Sequence, residues 1–453
     1  MELQKFTKLY ANRYFLLIIL FFGLVILLLP NILRDSPFII GEESFYHLRI
    51  AKDILKQGIV NYDELSFSGR NNFMELGLGY SIALFSFITK LSVENSAMWL
   101  FLILGLVSLY LLYSIFKMLE LEESMMTLPV LILSPPFIYL FTVINRYAIP
   151  LVLTLLIAYF LLKKRIYISI ICFLLMPFFS YQFSILVLLA SFLYLLYAKK
   201  KKLLLFVSLL AILIFLLILN DFNFSFISDF GGNLGLGVFG VFIVLIGLGF
   251  FWKRKRFIGL YFICLLLFLL YLKFYWIIFL LNILLCLLIA FSLLNLLKIE
   301  WESRLVRDLT VLLLVCGLLF SGVSFVKSLS DSMPNEELFE ALNVIPDNSI
   351  VLSSIDKGHW ISYAGKKNVI DSFTNFKNYK ERESDINTLF KTKDLKTAIS
   401  ILDKYNVNFI LINEQMKHEL FWEDEGILYL LRYSNNFEKV YEKNNIEIWA
   451  YRK

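Results

Sequence analysis

The chain has 453 residues, of which 59% are hydrophobic and only 18% are charged. Soluble globular domains are about 45–50% apolar, so this composition excludes an ordinary soluble protein and indicates a multi-pass membrane protein. The formal net charge is +6, but the basic residues stand in short runs between apolar segments. Such runs orient a membrane protein from its cytoplasmic loops, so the charge does not indicate nucleic-acid binding.

Apolar segments recur along the first 330 residues, and they predict about eleven membrane spans. The segments are 14–33, 98–119, 125–143, 147–162, 166–182, 183–198, 203–219, 236–252, 257–272, 275–297 and 307–327. The first segment differs from a cleaved signal peptide, because it is long and no small-residue cleavage site follows Pro30. We therefore interpret it as a retained span.

Residues 76–91 are also apolar, and the distribution of basic residues decides whether they form a span. Lys5, Lys8 and Arg13 predict a cytoplasmic N-terminus. Four later basic clusters are cytoplasmic only if 76–91 does not cross: 163–165, 199–202, 253–256 and 298–307. We predict that 76–91 is a helix at the outer membrane surface or packed within a first external loop, 34–97. The tip near Asn145, the loop 220–235 and the C-terminal region are then external.

The segment 331–453 differs from the preceding membrane domain, 1–330, because it is polar and its patterns alternate between strand and helix. Apolar runs predict strands at Ser349–Ser353, Val407–Ile412 and Ile446–Tyr451, and amphipathic spacing predicts a helix at Leu395–Tyr405. This order predicts a small soluble α/β domain on the outer face.

The first external loop begins with two adjacent carboxylates, Glu42 and Glu43, immediately after the first span. Carboxylates just above the hydrocarbon can bind a divalent cation or assist group transfer from a lipid phosphate. Further acidic candidates in the two external loops are Asp63, Glu64, Glu75, Asp221 and Asp229. For each of them a solvated loop charge is the alternative interpretation.

Three residues close to the carboxylate pair add binding chemistry. Tyr46, His47 and Arg49 supply an aromatic ring, a titratable ring and a fixed cation within four residues. Arg49 could hold a phosphate through two parallel hydrogen bonds, and Arg146 at the second external tip is a further phosphate candidate. The alternatives are a hydrogen-bonded interfacial histidine and an arginine that extends to the membrane surface.

The sequence GEESFYHLR at Gly41–Arg49, followed by AKDIL at Ala51–Leu55 and YDELS at Tyr62–Ser66, resembles the first external loop of archaeal oligosaccharyltransferase catalytic subunits. Those proteins are glycosyltransferases of the GT-C fold. Their pattern is close to Asp-Pro-Tyr-Tyr-His-Leu-Arg, and Glu43 falls on the Asp, which acts at the metal and acceptor site. The resemblance implies a GT-C-like α-helical membrane protein of about 11–13 spans with a small C-terminal extracytoplasmic α/β domain.

A second stretch, Leu352–Ile361, is similar to the family's Ser-Trp-Trp-Asp-Tyr-Gly-His-Trp-Ile segment. The Trp-Trp-Asp block of that segment contacts the acceptor sequon. Asp356 and Gly358 match the family residues, which implies acceptor binding, whereas Ser354 and Ile355 replace the two tryptophans. A turn between strand and helix that needs Asp and Gly for its backbone is the alternative interpretation.

Two further departures concern the metal site. Family members carry acidic metal ligands at the second external tip, but Thr142–Tyr147 contains no carboxylate. The later external loop is short, at 220–235, with Asp221 and Asp229 as its candidate ligands. The resemblance implies a bound Mn²⁺ or Mg²⁺ with Glu43 among its ligands, and these departures leave metal dependence open.

The resemblance implies a glycosyltransferase in the cell membrane that uses a polyprenyl- or dolichyl-phosphate-linked sugar or oligosaccharide. The acceptor would be a protein or a glycan on the external face, with Glu43 as the catalytic carboxylate. The alternative is an inactive relative that binds lipid-linked glycan or escorts an active transferase. A transporter is disfavoured, because the predicted spans contain few of the ionisable residues that ion pathways require.

Overall fold

The computed structural model describes residues 13–34, 36–60, 62–71, 76–119, 122–198, 234–252, 258–332, 334–373, 378–419 and 425–452. Backbone contacts divide the chain into two compact units. The first contains Met1–Arg34 and Asn95–Asp331, and the second contains Asp35–Glu94 and Ser332–Lys453. The loop after the first helix is thus grouped with the C-terminal segment.

The first unit is built from apolar helices. They are α1 (Arg13–Leu33), α4 (Val93–Met118, whose first residues belong to the second unit), α5 (Thr127–Ile132), α6 (Pro135–Thr142), α7 (Ala148–Leu162), α8 (Ile166–Leu175), α9 (Tyr181–Ala198), α10 (Val238–Trp252), α11 (Ile258–Tyr271), α12 (Ile278–Lys298) and α13 (Arg304–Asp331). These helices match the segments that the sequence predicts, apart from 203–219, which lies outside the described residues.

Among the described residues, α1, α4, α12 and α13 lie in helices long and apolar enough to cross a membrane. The preceding 3-10 turn and α5 form one arm of a pair with α6, bent by 62°. The bend follows from Pro135 and Pro136, which open α6 and cannot continue the hydrogen bonding of α5. Most of the other apolar helices in the described ranges are 10–17 residues long, and the number of crossings stays a prediction.

The second unit combines helices with short strands. The helices are α2 (Glu42–Gln57), α3 (Gly77–Thr89), α14 (Glu336–Val344), α15 (Gly358–Tyr363), α16 (Tyr379–Lys391), α17 (Leu395–Lys404), α18 (Glu414–Glu419) and α19 (Ile427–Tyr433). The strands are β1 (Tyr62–Asp63), β2 (Arg70–Asn71), β3 (Ile350–Leu352), β4 (Lys367–Asn368), β5 (Phe409–Ile412), β6 (Phe437–Lys443) and β7 (Ile446–Tyr451). The strands and the helix predicted in 331–453 are confirmed, and so is a helix within 76–91.

The described strands of the C-terminal segment form one mixed five-stranded sheet in the order β4-β3-β5-β7-β6. β3 pairs in parallel with β4 and β5, whereas β7 is antiparallel to β5 and β6. Because successive strand residues point to opposite faces, Leu352 and Ile410 join a core with α16, α17 and α19. Val351 and Leu411 join a second core with α14 and α15.

Helix α2 is attached to the second of these cores. Phe45 is buried there against Leu338 and Trp360, with its ring centroid 6.3 Å from that of Trp360. On its other side α2 contacts α3, where Gly79 admits Ile50 at close range. These contacts fix the start of α2 within the second unit, and the start of α2 carries the candidate carboxylates.

Candidate active site

Helix α2 presents Glu42 and Glu43 in its first turn. Negative charge is favourable there, because the unpaired N–H groups of a helix N-terminus carry partial positive charge. All eight residues from Ser44 to Ala51 are buried, so several elements surround this end of the helix. The two glutamates therefore stand at the edge of a packed core.

The Glu42 carboxyl group lies in an electrostatically unfavourable place for a negative charge. Burial raises the pKa of Glu42 well above its ordinary value of 4.5, and the charges of Asp356 and Asp371 add to the rise. Its Oε1 atom has no hydrogen-bond partner among the described residues. Burial and the neighbouring carboxylates thus favour the protonated form of Glu42, which can donate a hydrogen bond.

Glu43 is held by a residue one helical turn later. Its Oε1 lies 3.3 Å from Nε2 of His47, and the side chains of Glu43 and His47 are 17% and 3% exposed. Residues four apart on a helix lie on the same face, so α2 itself produces this pair. Tyr46 contacts His47, with 5.2 Å between ring centroids, and burial raises the pKa of Tyr46. Glu43 is consequently oriented by a buried imidazole while one edge stays accessible.

Arg49, a candidate for phosphate binding in the sequence, forms a buried ion pair within the second unit. Its two terminal nitrogens donate to the two oxygens of Asp63 at 2.7 and 2.6 Å, and one also donates to Ser66 Oγ at 3.2 Å. Burial opposes ionisation of Asp63, but the charge of Arg49 outweighs it and lowers the pKa of Asp63. Both groups therefore stay charged and connect α2 to the following loop.

Arg70 is a charged residue that the sequence analysis did not single out. Its Nε atom is 3.7 Å from Asp63 Oδ2, and its terminal nitrogen NH1 is 3.7 Å from Asp371 Oδ1. Its guanidinium carbon lies 5.1 to 5.4 Å from the ring centroids of Tyr46, Phe67 and Phe373. Arg70 thus sits over aromatic faces between two carboxylates, an arrangement that favours a fixed cation.

His359 and Asp371 form a buried pair that the sequence analysis also missed. Both side chains are fully buried, with His359 Nδ1 3.7 Å from Asp371 Oδ2. Among the described residues neither ring nitrogen of His359 has a hydrogen-bond partner. Burial lowers the pKa of His359 to about 4, so the ring is neutral at pH 7. The signal available in the sequence was the Gly-His-Trp part of the second motif.

Gly358 is required by close packing of the backbone. A Cβ atom added there would clash with the carbonyl oxygen of Ile370 and would lie 2.7 Å from Asp371 Cα. Buried Asn368 completes the arrangement, because its Nδ2 donates to Gly358 O at 2.9 Å and its Oδ1 accepts from Phe67 N at 2.6 Å. The glycine therefore lets Asp371 approach the start of α15.

Asp356 lies in the 3-10 turn Ile355–Lys357 immediately before α15. Its carboxylate pairs with Lys357 Nζ at 2.6 Å, and its side chain is 48% exposed. Ser354, at one of the lost tryptophan positions, donates to Asp356 through its hydroxyl group. Asp356 is thus accessible, and its negative charge contributes to the raised pKa of Glu42.

Two of the remaining candidates, Arg146 and Glu64, lie in the part of the chain that the structure describes. Arg146 is in the first unit, where its guanidinium carbon lies 5.1 Å from the Tyr147 ring centroid. The turn around it is fixed by Asn145, whose Nδ2 donates to the carbonyl oxygens of Leu140 and Val143. Glu64 is exposed. Glu75, Asp221 and Asp229 lie outside the described residues.

The described residues do not form a metal centre. No three His, Cys, Asp or Glu side chains within those ranges are placed to bind one ion. Glu42, Glu43, Asp356 and Asp371 offer the carboxylate oxygens that Mn²⁺ and Mg²⁺ prefer, yet Glu43 is engaged with His47. A ligand set of Glu43 with Asp221 or Asp229 stays a prediction.

Comparison with known proteins gives structural matches. No protein-family model and no curated protein sequence matches the chain. One match is the Archaeoglobus fulgidus oligosaccharyltransferase tethered with an acceptor peptide containing the NVT sequon. The match covers 98% of this chain and 75% of the oligosaccharyltransferase, with a TM-score of 0.60 and 12% identity. The same oligosaccharyltransferase in complex with Zn and sulfate is similar to 96% of this chain over 73% of its own length, with a TM-score of 0.56 and 13% identity.

A second kind of transferase has the same architecture. The arabinofuranosyltransferase AftD from Mycobacteria is similar to 98% of this chain, with a TM-score of 0.54 and 12% identity, and the match spans 40% of its own length. The chain is therefore a membrane protein of the GT-C glycosyltransferase fold with a small sheet domain near its C-terminus. This confirms the predicted fold class and the resemblance to archaeal oligosaccharyltransferases.

Proposed function

We propose that this chain transfers a sugar or oligosaccharide from a polyprenyl- or dolichyl-phosphate-linked donor to a protein or glycan acceptor on the external face of the membrane. The observation that carries the proposal is Glu43. It is a partly accessible carboxylate, oriented by His47 on the first turn of α2, in a chain of the GT-C fold. Carboxylates so placed can take a proton from an attacking nucleophile.

In the proposed reaction an acceptor hydroxyl or amide attacks the anomeric carbon of the donor sugar. The bond from that carbon to the phosphate oxygen breaks, the lipid phosphate leaves with the electron pair, and the acceptor's proton passes to Glu43. His47 holds Glu43 in the orientation needed for this transfer. The anionic leaving group needs a cation, and Arg146 is our candidate for its binding.

The raised pKa of Glu42 gives the two adjacent carboxyl groups different roles in the proposed reaction. Because burial and neighbouring carboxylates favour its protonated form, Glu42 can donate a hydrogen bond while Glu43 accepts a proton. Asp356 is accessible beside them and is the proposed acceptor-binding carboxylate. Tyr46, Arg49 and Gly358 act as positioning residues, through aromatic contact, the Asp63 ion pair and close backbone packing.

The test compares two identical chemical changes in one loop. Purified protein in lipid is given extracted lipid-linked glycans and cell-surface acceptors, and transfer is measured for wild type, Glu43→Gln and Glu64→Gln. We expect Glu43→Gln to lower the transfer rate at least 100-fold, as loss of a general base does. Glu64 is exposed, so Glu64→Gln should transfer at the wild-type rate. Equal rates for Glu43→Gln and wild type would remove Glu43 from the mechanism.

The same assay addresses the metal and the alternative function. Loss of transfer in EDTA with recovery in Mn²⁺ or Mg²⁺ would establish a metal ion as part of the site. If wild type transfers nothing but copurifies with lipid-linked glycan, the chain is an inactive binding relative, and the catalytic assignment fails.

A further inference from the structure

A cavity of about 590 Å³ lies among helices α1, α4 and α7 of the first unit. Cavities of about 300–1,000 Å³ are typical of ligand sites. Its walls come from the first turns of α1, at Leu16 and Leu17, and from the last turns of α4 and α7. It therefore lies near the helix ends, where helices of this length approach the membrane surface. Its lining residues belong to the first unit, whereas α2 and its carboxylates belong to the second.

The cavity exists because α1 and α4 touch closely at two glycines and carry large side chains beyond them. A Cβ atom at Gly23 would lie 2.6 Å from Leu109 Cδ1, and one at Gly105 would lie 2.6 Å from Leu27 Cδ1. About two helical turns before Gly23, α1 reaches Leu16 and Leu17, and there the facing side chains of α4 are Tyr110 and Tyr113. Side chains of this size hold the helix ends apart and leave an open space.

The lining is amphipathic and positive. Lys117 and Lys163 supply two ammonium groups, and no Asp or Glu is among the described lining residues. Lys163 Nζ lies 4.5 Å from the ring centroid of Tyr159, which keeps that charge beside the cavity. Leu16, Leu17 and Met118 supply apolar wall. A ligand that fits has an anionic head and an apolar body.

We propose that this cavity binds one anionic phospholipid, with its phosphate between Lys117 and Lys163 and its chains along Leu16, Leu17 and Met118. Charge complementarity selects an anionic head group, and basic pockets between membrane helices bind such lipids. The ring of Tyr159 lies beside the ammonium group of Lys163, and aromatic residues are enriched at membrane interfaces. The site is independent of the transferase reaction.

The experiment measures binding of phosphatidylglycerol and phosphatidylcholine to the full chain in mild detergent, by native mass spectrometry. The test variant is Lys117→Gln with Lys163→Gln. The matched control, Lys164→Gln with Arg165→Gln, removes the same charge next to the cavity without touching its lining. A lysine near a membrane surface contributes about fivefold to binding of an anionic lipid. We expect the test variant to bind phosphatidylglycerol roughly 25-fold more weakly and the control to match wild type.

A second variant tests the cavity itself. Ser114→Phe fills the space while keeping both lysines, so phosphatidylglycerol binding should fall in this variant as well. Equal loss in the Lys164→Gln/Arg165→Gln control would show general surface attraction and overturn the proposal. Wild-type binding by either test variant would overturn it too. Equally tight binding of phosphatidylcholine and phosphatidylglycerol by the wild type would also overturn it, because the two lysines should select an anionic head group.

Discussion

Removing Asp63 should strongly destabilise the second unit, because the change leaves the buried guanidinium of Arg49 without its counter-ion. The two hydrogen bonds between them are 2.7 and 2.6 Å long, and their side chains are 8% and 0% exposed. Breaking a buried ion pair by removing one partner costs about 3–5 kcal/mol. In units of 150–250 residues each kcal/mol lowers the unfolding midpoint by about 2–4 °C. Asp63→Ala should therefore lower the midpoint by roughly 6–20 °C.

The assay follows tryptophan fluorescence of the protein in lipid nanodiscs during heating at one fixed rate, since membrane proteins often unfold irreversibly. Trp360 and Trp449 are buried in the second unit and report its unfolding. Glu64→Ala is the matched control, because Glu64 is exposed and adjacent in sequence. Such surface changes stay within about 0.5 kcal/mol.

A double variant separates the ion pair from the volume of its side chains. Arg49→Leu with Asp63→Leu removes both charges together, so it should be more stable than either single change. If Arg49 instead bound the donor phosphate, Asp63→Ala would behave like Glu64→Ala, and Arg49→Lys would raise the KM for the donor. That result would refute the internal ion pair.

Three further changes test other parts of the site. Gly358→Ala should lower the free energy of unfolding by about 1–3 kcal/mol, because the added methyl group overpacks against Ile370. Gly249 faces open space, so Gly249→Ala should leave stability unchanged, and thermal melting of both variants measures the difference. His359 has a pKa lowered from 6.5 to about 4, so the unfolded chain binds its proton first as pH falls. Stability should drop by about 3 kcal/mol between pH 6.5 and 4, and equal melting profiles for wild type and His359→Leu would contradict this. The pKa of Glu42 is raised, so the protonated carboxyl group stabilises the fold fully below about pH 4.5, and this stabilisation is lost as pH rises. The melting temperature of Glu42→Gln should therefore increase relative to that of wild type from pH 5 to 8.

The helices of the first unit and the strands β3, β5 and β7 were predictable because their signals are local. Apolar runs mark both the helices of the first unit and the strands β3, β5 and β7. β6 was missed because five of its seven residues are exposed and mostly polar, as in many edge strands. β4 was missed because it is two residues long. Neither strand carries the buried apolar pattern by which sequence reveals a strand.

The candidate site was predictable only where it lies on one helix. Glu43 and His47 are four residues apart, so helical periodicity predicts their contact. The partner of Arg49 lies 14 residues away across a loop, and periodicity carries no information about such a pair. His359 and Asp371 meet only because Gly358 admits the chain that follows β4. Contacts of that kind depend on tertiary packing, which a single sequence does not display.

The central claim is that this chain cleaves the bond between a sugar and a lipid phosphate for transfer to an acceptor. The most direct measurement is release of free lipid phosphate from native lipid-linked glycan by the purified wild-type protein, with and without acceptor. We predict release that requires acceptor and yields a matching amount of glycosylated product, and that is lost in Glu43→Gln. Absence of release with every acceptor and divalent ion tested, or equal release by Glu43→Gln, would contradict the account.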